Sequence, residues 1–247
     1  MTQEQVVIKT RDGECPANVM TPSGNGAWPA VIFYMDGFGI RQTLIDMAQR
    51  LADAGYIVLL PDLYYRAAPY DLPEPTELFT SEAGMAKVMK LFQTTDNRKA
   101  ADDTEAFLAY LDSRDDVAGS FVGTTGYCMG GAMSLTAAGR FPERVVAAAS
   151  FHGGALATDS ELSPHLLADR MTGRIYVAGA DNDDYYPPEM AERLEEALSG
   201  AGVNHRCEIY AGALHGWTMA DLPMYDEAAA ERHWRELLAL LQATLKQ

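Results

Sequence analysis

Gly126-Tyr127-Cys128-Met129-Gly130-Gly131 stands between residues 120–125, which read as a buried strand, and residues 130–139, small residues that read as a helix. A turn tight enough to join the two leaves little room for a Cβ two places before or two places after its apex. Glycine fills both places. The spacing therefore predicts a sharp corner that lifts Cys128 clear of the sheet at a helix N-terminus. There the helix dipole favours a thiolate, and the Met129 N–H is placed to bind an oxyanion. The competing reading is that Cys128 is a small buried hydrophobe, as most free cysteines are. The two glycines and the strand–helix context outweigh it. Cys15 and Cys207, on strands with no such corner, read as core or edge residues.

Outward from this corner the chain alternates strand and helix. Residues 5–10 and 14–20 alternate in polarity about Asp12-Gly13, the signature of an opening β-hairpin. Residues 30–35 form an apolar run suited to a strand buried on both faces, and Leu44, Met47, Ala48 and Leu51 follow at helical spacing. Strands are predicted at 57–60, 145–149, 174–178 and 205–210. Helices are predicted at 98–111 and 188–198, and a final one carries the apolar stripe Trp234, Leu237, Leu238, Leu241 and Leu245. Such alternation implies an α/β fold with a mostly parallel central sheet and helices on both faces. Residues 62–95, with a short helix near 81–92, and residues 152–172 interrupt the pattern. Excursions of this kind after strand C-termini build binding sites, and 62–95 is read as a lid or pocket excursion.

A chain of 247 residues accommodates one large α/β domain, 1–247, rather than two. A net charge of −16 repels phosphate backbones and argues against nucleic acid as a partner. No apolar run approaches the length needed to span a bilayer, and the N-terminus resembles no signal peptide, so no membrane partner is expected. Three scattered cysteines make neither a disulfide framework nor a C-x-x-C metal or redox motif, which favours a reducing, cytoplasmic setting.

A nucleophile needs a base. His215 lies five residues past the last strand, on a loop leaving its C-terminal end. His205 begins a strand at the far edge, and His233 is read as lying on the polar side of the final helix. His152 and His165 sit near the sheet's C-terminal side, as structural or substrate-contacting residues. An acid that orients the base should follow the strand at 174–178, where Asp181, Asp183 and Asp184 are all candidates. A calcium loop is not expected there, because the glycine and distal Glu of that motif are missing.

Together, Gly126–Gly131, Asn182-Asp183-Asp184-Tyr185-Tyr186-Pro187, Leu214-His215-Gly216-Trp217 and Pro61-Asp62-Leu63-Tyr64 resemble the dienelactone hydrolase family, from about Val6 to the C-terminal helix. The resemblance implies the α/β-hydrolase fold and a catalytic set of Cys128, Asp183 and His215. Asp183 is singled out as the aspartate four residues before a proline. The resemblance also implies that the Gly37 N–H is a second oxyanion donor, and that no metal or organic cofactor takes part. Where the family has a glutamate that contacts and helps activate the thiol, this chain has Asp36, one methylene shorter.

A second departure concerns substrate. Family members acting on dienelactone bind its carboxylate with arginines, yet His215 is followed by Gly216-Trp217-Thr218-Met219 and residues 70–95 contain no arginine. Lys87 and Lys90 read as a solvated helix face. Phe38, Tyr64, Tyr65, Tyr127 and Trp217 are expected to give an aromatic pocket for a small uncharged ester or lactone, cleaved through an acyl-enzyme. The alternatives are a thioesterase or peptidase on the same residues, and a non-catalytic ligand-binding or redox-sensing protein.

Overall fold

The computed structural model describes residues 2–72 and 81–246. Eight strands form one sheet in the order β1-β2-β4-β3-β5-β6-β7-β8. β1 (Thr2–Lys9) and β2 (Glu14–Thr21) make the expected hairpin, and β2 runs antiparallel to β4 (Ile57–Pro61). From β4 onward every neighbour is parallel: β3 (Trp28–Tyr34), β5 (Val117–Tyr127), β6 (Val145–Phe151), β7 (Arg174–Ala180) and β8 (His205–Tyr210).

Among the described residues six α-helices accompany the sheet: α1 (Gln42–Asp53), α2 (Glu82–Phe92), α3 (Asn97–Asp112), α4 (Met129–Arg140), α5 (Pro188–Gly200) and α6 (Glu227–Leu245). Strand alternation on β5 shows which face they cover. A Cβ on Gly123 would meet Leu241 of α6, whereas the next residue, Thr124, bonds through its hydroxyl to Ser134 of α4 at 2.8 Å. α6 and α4 therefore lie on opposite faces. α1 shares the α6 side, where Arg50 pairs with Glu231 and lies over the Trp234 ring.

Because both faces are covered, Val31, Ile32, Phe33, Val58, Leu59, Ala148 and Ala149 have no exposed surface. This is the physical reason these strands read as continuous apolar runs rather than alternating ones. The same layering corrects one expectation. His233 is fully buried against the sheet, with Nε2 2.8 Å from the Tyr127 hydroxyl and Nδ1 2.9 Å from the Ala230 carbonyl. A buried tyrosine hydroxyl needs a partner, and His233 supplies it.

The excursion at 62–95 contains a 3-10 turn, Tyr65–Ala67, and helix α2. Its residues 73–80 lie outside the described residues. All the parallel strands point their C-terminal ends to one edge of the sheet, and the loops leaving that edge carry the residues singled out from the sequence.

Candidate active site

Cys128 sits between β5 and α4 with φ 54° and ψ −119°, a left-handed conformation uncommon for a residue with a side chain. The neighbouring glycines make the corner possible. A Cβ on Gly126 would come within 1.8 Å of the Gly130 carbonyl oxygen, and one on Gly130 within 2.4 Å of the Tyr34 carbonyl oxygen. Backbone cannot yield as a flexible side chain can, so both positions are restricted to glycine. Met129 is the first residue of α4, so its N–H has no intrahelical acceptor. Gly37, on the loop after β3, lines the same cavity as Cys128 and Met129.

On the loop after β7, Asp183 accepts from the Tyr185 N–H at 2.9 Å through Oδ1, and its Oδ2 lies 2.7 Å from His215 Nδ1. Its side chain is almost wholly buried. The other two candidate acids are engaged differently. Asp181 accepts from the Gly212 N–H at 2.9 Å, tying the β7 and β8 loops together, and Asp184 is exposed. Neither caps α5, whose N-cap position is held by Pro187 with no side-chain cap.

Burial alone would pull the His215 pKa down. The Asp183 hydrogen bond, with a further contribution from Cys128, more than offsets this, and the pKa is pushed up to about 10. The thiol is near enough to act on the imidazole electrostatically. His215 Nε2 is nonetheless buried without a hydrogen-bond partner among the described residues, so no bond of ordinary geometry joins it to Cys128 at rest.

Asp36 lines the same cavity and is 2% exposed, but its carboxylate is fully engaged elsewhere. Oδ1 accepts from Arg41 Nη1 at 2.7 Å and from the Phe38 N–H at 3.0 Å, and Oδ2 accepts from Arg41 Nη2 at 2.9 Å. Arg41 also bonds Asp221 through Nε at 2.5 Å. Burial raises the Asp36 pKa, with Arg41 opposing. Among the described residues no hydrogen bond links Asp36 to Cys128.

The cavity has a volume of about 400 Å³. Phe38 lines it, but the rest of the wall is not the aromatic set read from the sequence. Tyr64 is buried behind it, donating to the Gly37 carbonyl at 2.9 Å. Tyr127 is stacked between Phe33 and Phe151, and Trp217 is stacked on Tyr210; neither has exposed surface. Tyr65 is held away from the cavity by Asp103 and Thr10. These rings brace the loops from beneath. The lining is instead rich in methionine and aliphatic side chains, Met85, Val88 and Met89 of α2 with Met129, Met219, Leu222 and Met224, beside the ring of Phe92.

The α2 residues follow i, i+3, i+4, i+7 spacing, a signal visible in the sequence. His152 also lines the cavity. It has φ 38°, its Nε2 lies 2.7 Å from the Thr218 hydroxyl, and its ring meets that of His215 edge-on at 5.2 Å. His165 bonds Ser163 outside the cavity. A separate hollow of about 260 Å³, over Arg174, Tyr176, Arg206 and Glu236, holds no nucleophile.

An eight-stranded, mostly parallel sheet that presents a cysteine on a sharp strand–helix corner, with a buried carboxylate–histidine pair beside it, defines an α/β-hydrolase. Within that class the chain belongs to the dienelactone hydrolase family, whose family model matches residues 15–245. It is 30% identical over 244 residues to a Synechocystis sp. protein named "Putative carboxymethylenebutenolidase", covering 98% of this chain and 96% of that one. It is 26% identical to a Bradyrhizobium sp. protein named "Probable 2-oxo-3-(5-oxofuran-2-ylidene)propanoate lactonase", covering 98% and 94% of the two chains. Among solved structures, the "Putative Dienelactone Hydrolase" of Klebsiella pneumoniae superposes with a TM-score of 0.83 at 22% identity, over 97% of each chain. The protein is a hydrolase. No helix among the described residues is long and apolar enough to cross a membrane.

Proposed function

We propose that this hydrolase cleaves small, uncharged esters or lactones through an acyl-enzyme on Cys128. The observation that carries the reading is the Asp183–His215 pair, 2.7 Å apart, opening on the same cavity as the strained Cys128 corner. Asp183 holds Nδ1 of His215, which leaves Nε2 free to carry the Cys128 proton. The thiolate adds to the substrate carbonyl carbon, and the carbonyl electron pair moves to oxygen, where the N–H groups of Met129 and Gly37 are available. Collapse breaks the C–O bond, and the departing alkoxide takes the proton from His215. Neutral His215 then removes a proton from water. The resulting hydroxide adds to the thioester, and the second collapse releases the acid and restores the thiolate and the imidazolium.

In this cycle the raised pKa of His215 belongs to the resting enzyme. Once the thiolate has become a neutral thioester, its contribution to that pKa disappears and the imidazole gives up its proton more readily, although Asp183 still holds it up.

The lining supports the substrate class. It contains no lysine or arginine among the described residues, nor do residues 73–80 in sequence, and Arg41 is committed to Asp36 and Asp221. The lactonase relative takes, by its name, a carboxylate substrate; here nothing offers a carboxylate a cation, and burying an unpaired charge is costly. A thiol nucleophile fits a reducing compartment such as the cytoplasm.

Cys128→Ala is expected to abolish the hydrolysis of p-nitrophenyl acetate and butyrate and the pre-steady-state burst, a loss of roughly a thousandfold or more. Retained turnover would refute the nucleophile. Faster hydrolysis of a carboxylate-bearing lactone than of its methyl ester would refute the substrate class.

A further inference from the structure

Far from the cavity, the edge strand β8 carries His205 and Cys207, two residues apart and therefore on one side of the sheet, the side covered by α5. Glu195 of α5 reaches them. Its Oε1 lies 2.9 Å from His205 Nε2, and one donor atom from each of the three residues falls within 4.8 Å of the others. His205 Nδ1 is 2.8 Å from the Val203 carbonyl, an oxygen that can only accept. Nδ1 therefore carries a proton, the ring is fixed, and Nε2 is the atom left facing Glu195 and Cys207.

Tyr186 supplies an independent observation. It is 3% exposed, its hydroxyl has no hydrogen-bond partner among the described residues, and it lies within electrostatic reach of both Cys207 and Glu195. A buried hydroxyl left unpaired costs free energy and calls for an explanation.

We propose that Glu195, His205 and Cys207 form a binding site for a borderline-soft divalent transition metal, with Zn2+ as its representative. One thiolate, one imidazole and one carboxylate is a donor set that Zn2+ accepts and that Mg2+ or Ca2+, which prefer oxygen alone, does not. Tetrahedral Zn2+ with one sulfur, one nitrogen and one oxygen places its ligand atoms about 3.3–3.5 Å apart. The present upper bound of 4.8 Å is wider than this, so binding requires the ligand side chains, Cys207 among them, to turn toward the ion. Burial raises the Cys207 thiol pKa to about 12, and His205 Nε2, 2.9 Å from a carboxylate oxygen that only accepts, also carries a proton. A metal must therefore displace both protons to solvent as the metal–sulfur and metal–nitrogen bonds form. The unpaired Tyr186 hydroxyl is a candidate partner for a water ligand in the fourth position. The bound ion would pin an edge strand to its covering helix.

The test is a titration of the intact, reduced protein with Zn2+ by calorimetry and with Co2+ by absorbance. One equivalent of Zn2+ should bind, and Co2+ should give a thiolate-to-metal charge-transfer band. Cys207→Ser should remove that band and weaken Zn2+ binding by roughly a hundredfold, with a loss of about tenfold or more for His205→Gln. Cys128→Ala should keep both signals, since Cys128 and His215 are the other thiol–imidazole pair able to hold a metal. Circular dichroism and retained ester hydrolysis show that the Cys207 and His205 variants fold. Absence of Zn2+ binding, unchanged affinity in Cys207→Ser, or a band lost in Cys128→Ala and kept in Cys207→Ser would each overturn the proposal.

Discussion

His215 is where single-residue effects can be separated most cleanly. Its imidazole is held protonated by Asp183, with help from Cys128, against a burial effect of opposite sign. Asp183→Asn removes the charge and most of the raising influence, so the ring should titrate below its wild-type value of about 10 when followed by NMR. Cys128→Ala should lower it as well, by less. A ring pKa that does not move in Asp183→Asn would refute the proposed orienting role. In the wild type the alkaline limb of kcat/KM is expected near the same pH, because the departing alkoxide needs the imidazolium proton. The three neighbouring aspartates provide the control. Asp183→Asn should cost roughly a hundredfold or more in kcat. Asp181→Asn and Asp184→Asn should cost little, since one bonds a loop N–H and the other is exposed.

The elements that wall the cavity differ from those that carry Cys128, Asp183 and His215, and this decides what the sequence could reveal. The corner at Cys128 was legible because its backbone admits only glycine at positions 126 and 130, a constraint written in single residues. Strands buried on both faces were legible as apolar runs for a similar reason. The pocket was not. Tyr64, Tyr127 and Trp217 are aromatic residues adjoining functional loops, yet their side chains turn inward because each finds a ring or a hydrogen-bond partner beneath the site. The salt bridges of Asp36 through Arg41 to Asp221 join residues 180 positions apart, beyond any local pattern. Helix α2 carried its message in the open, with Met85, Val88, Met89 and Phe92 spaced to line one face. On the proposed function, α2 would set specificity. Met89 is half-exposed at the cavity mouth, where a guanidinium can be accommodated without burial. Met89→Arg should raise kcat/KM for carboxylate-bearing lactones about tenfold relative to neutral ones, the worth of one charge-assisted hydrogen bond. An unchanged ratio in a substrate panel would show that α2 does not face the bound acyl group.

For the whole molecule, the covered sheet imposes a pH dependence through two fully enclosed imidazoles. Burial holds His152 well below the ordinary histidine range, and it pulls His233 down to about 3 against the raising effect of the Ala230 carbonyl. In the unfolded chain both titrate near 6.5. Below that pH the unfolded state takes up protons that the native state refuses. Stability should therefore be complete above about pH 6.5 and fall as the pH drops, by up to about 1.4 kcal/mol per pH unit for each histidine. His215 acts in the opposite sense: its raised pKa stabilises fully below 6.5 and is lost as pH rises toward 10, so it adds no slope on the acid side. Asp36, Asp62 and Asp103, raised by burial, bind protons earlier in the native than in the unfolded state and offset part of the loss as the pH falls, while His165, lowered by burial, adds to it. In the window from about pH 6.5 to 5 the share of His233 is therefore read as a difference between wild type and variant. His233→Gln keeps an amide for the Tyr127 hydroxyl but cannot titrate. Urea unfolding across that window should show the wild-type free energy falling more steeply than the variant's by about one proton. The comparison rests on slope, so any constant cost of the substitution at pH 7 drops out. Parallel slopes would mean that the imidazole beneath Tyr127 is protonated in the native state, and that the hydrogen bond assigned to it is held by a charged rather than a neutral ring.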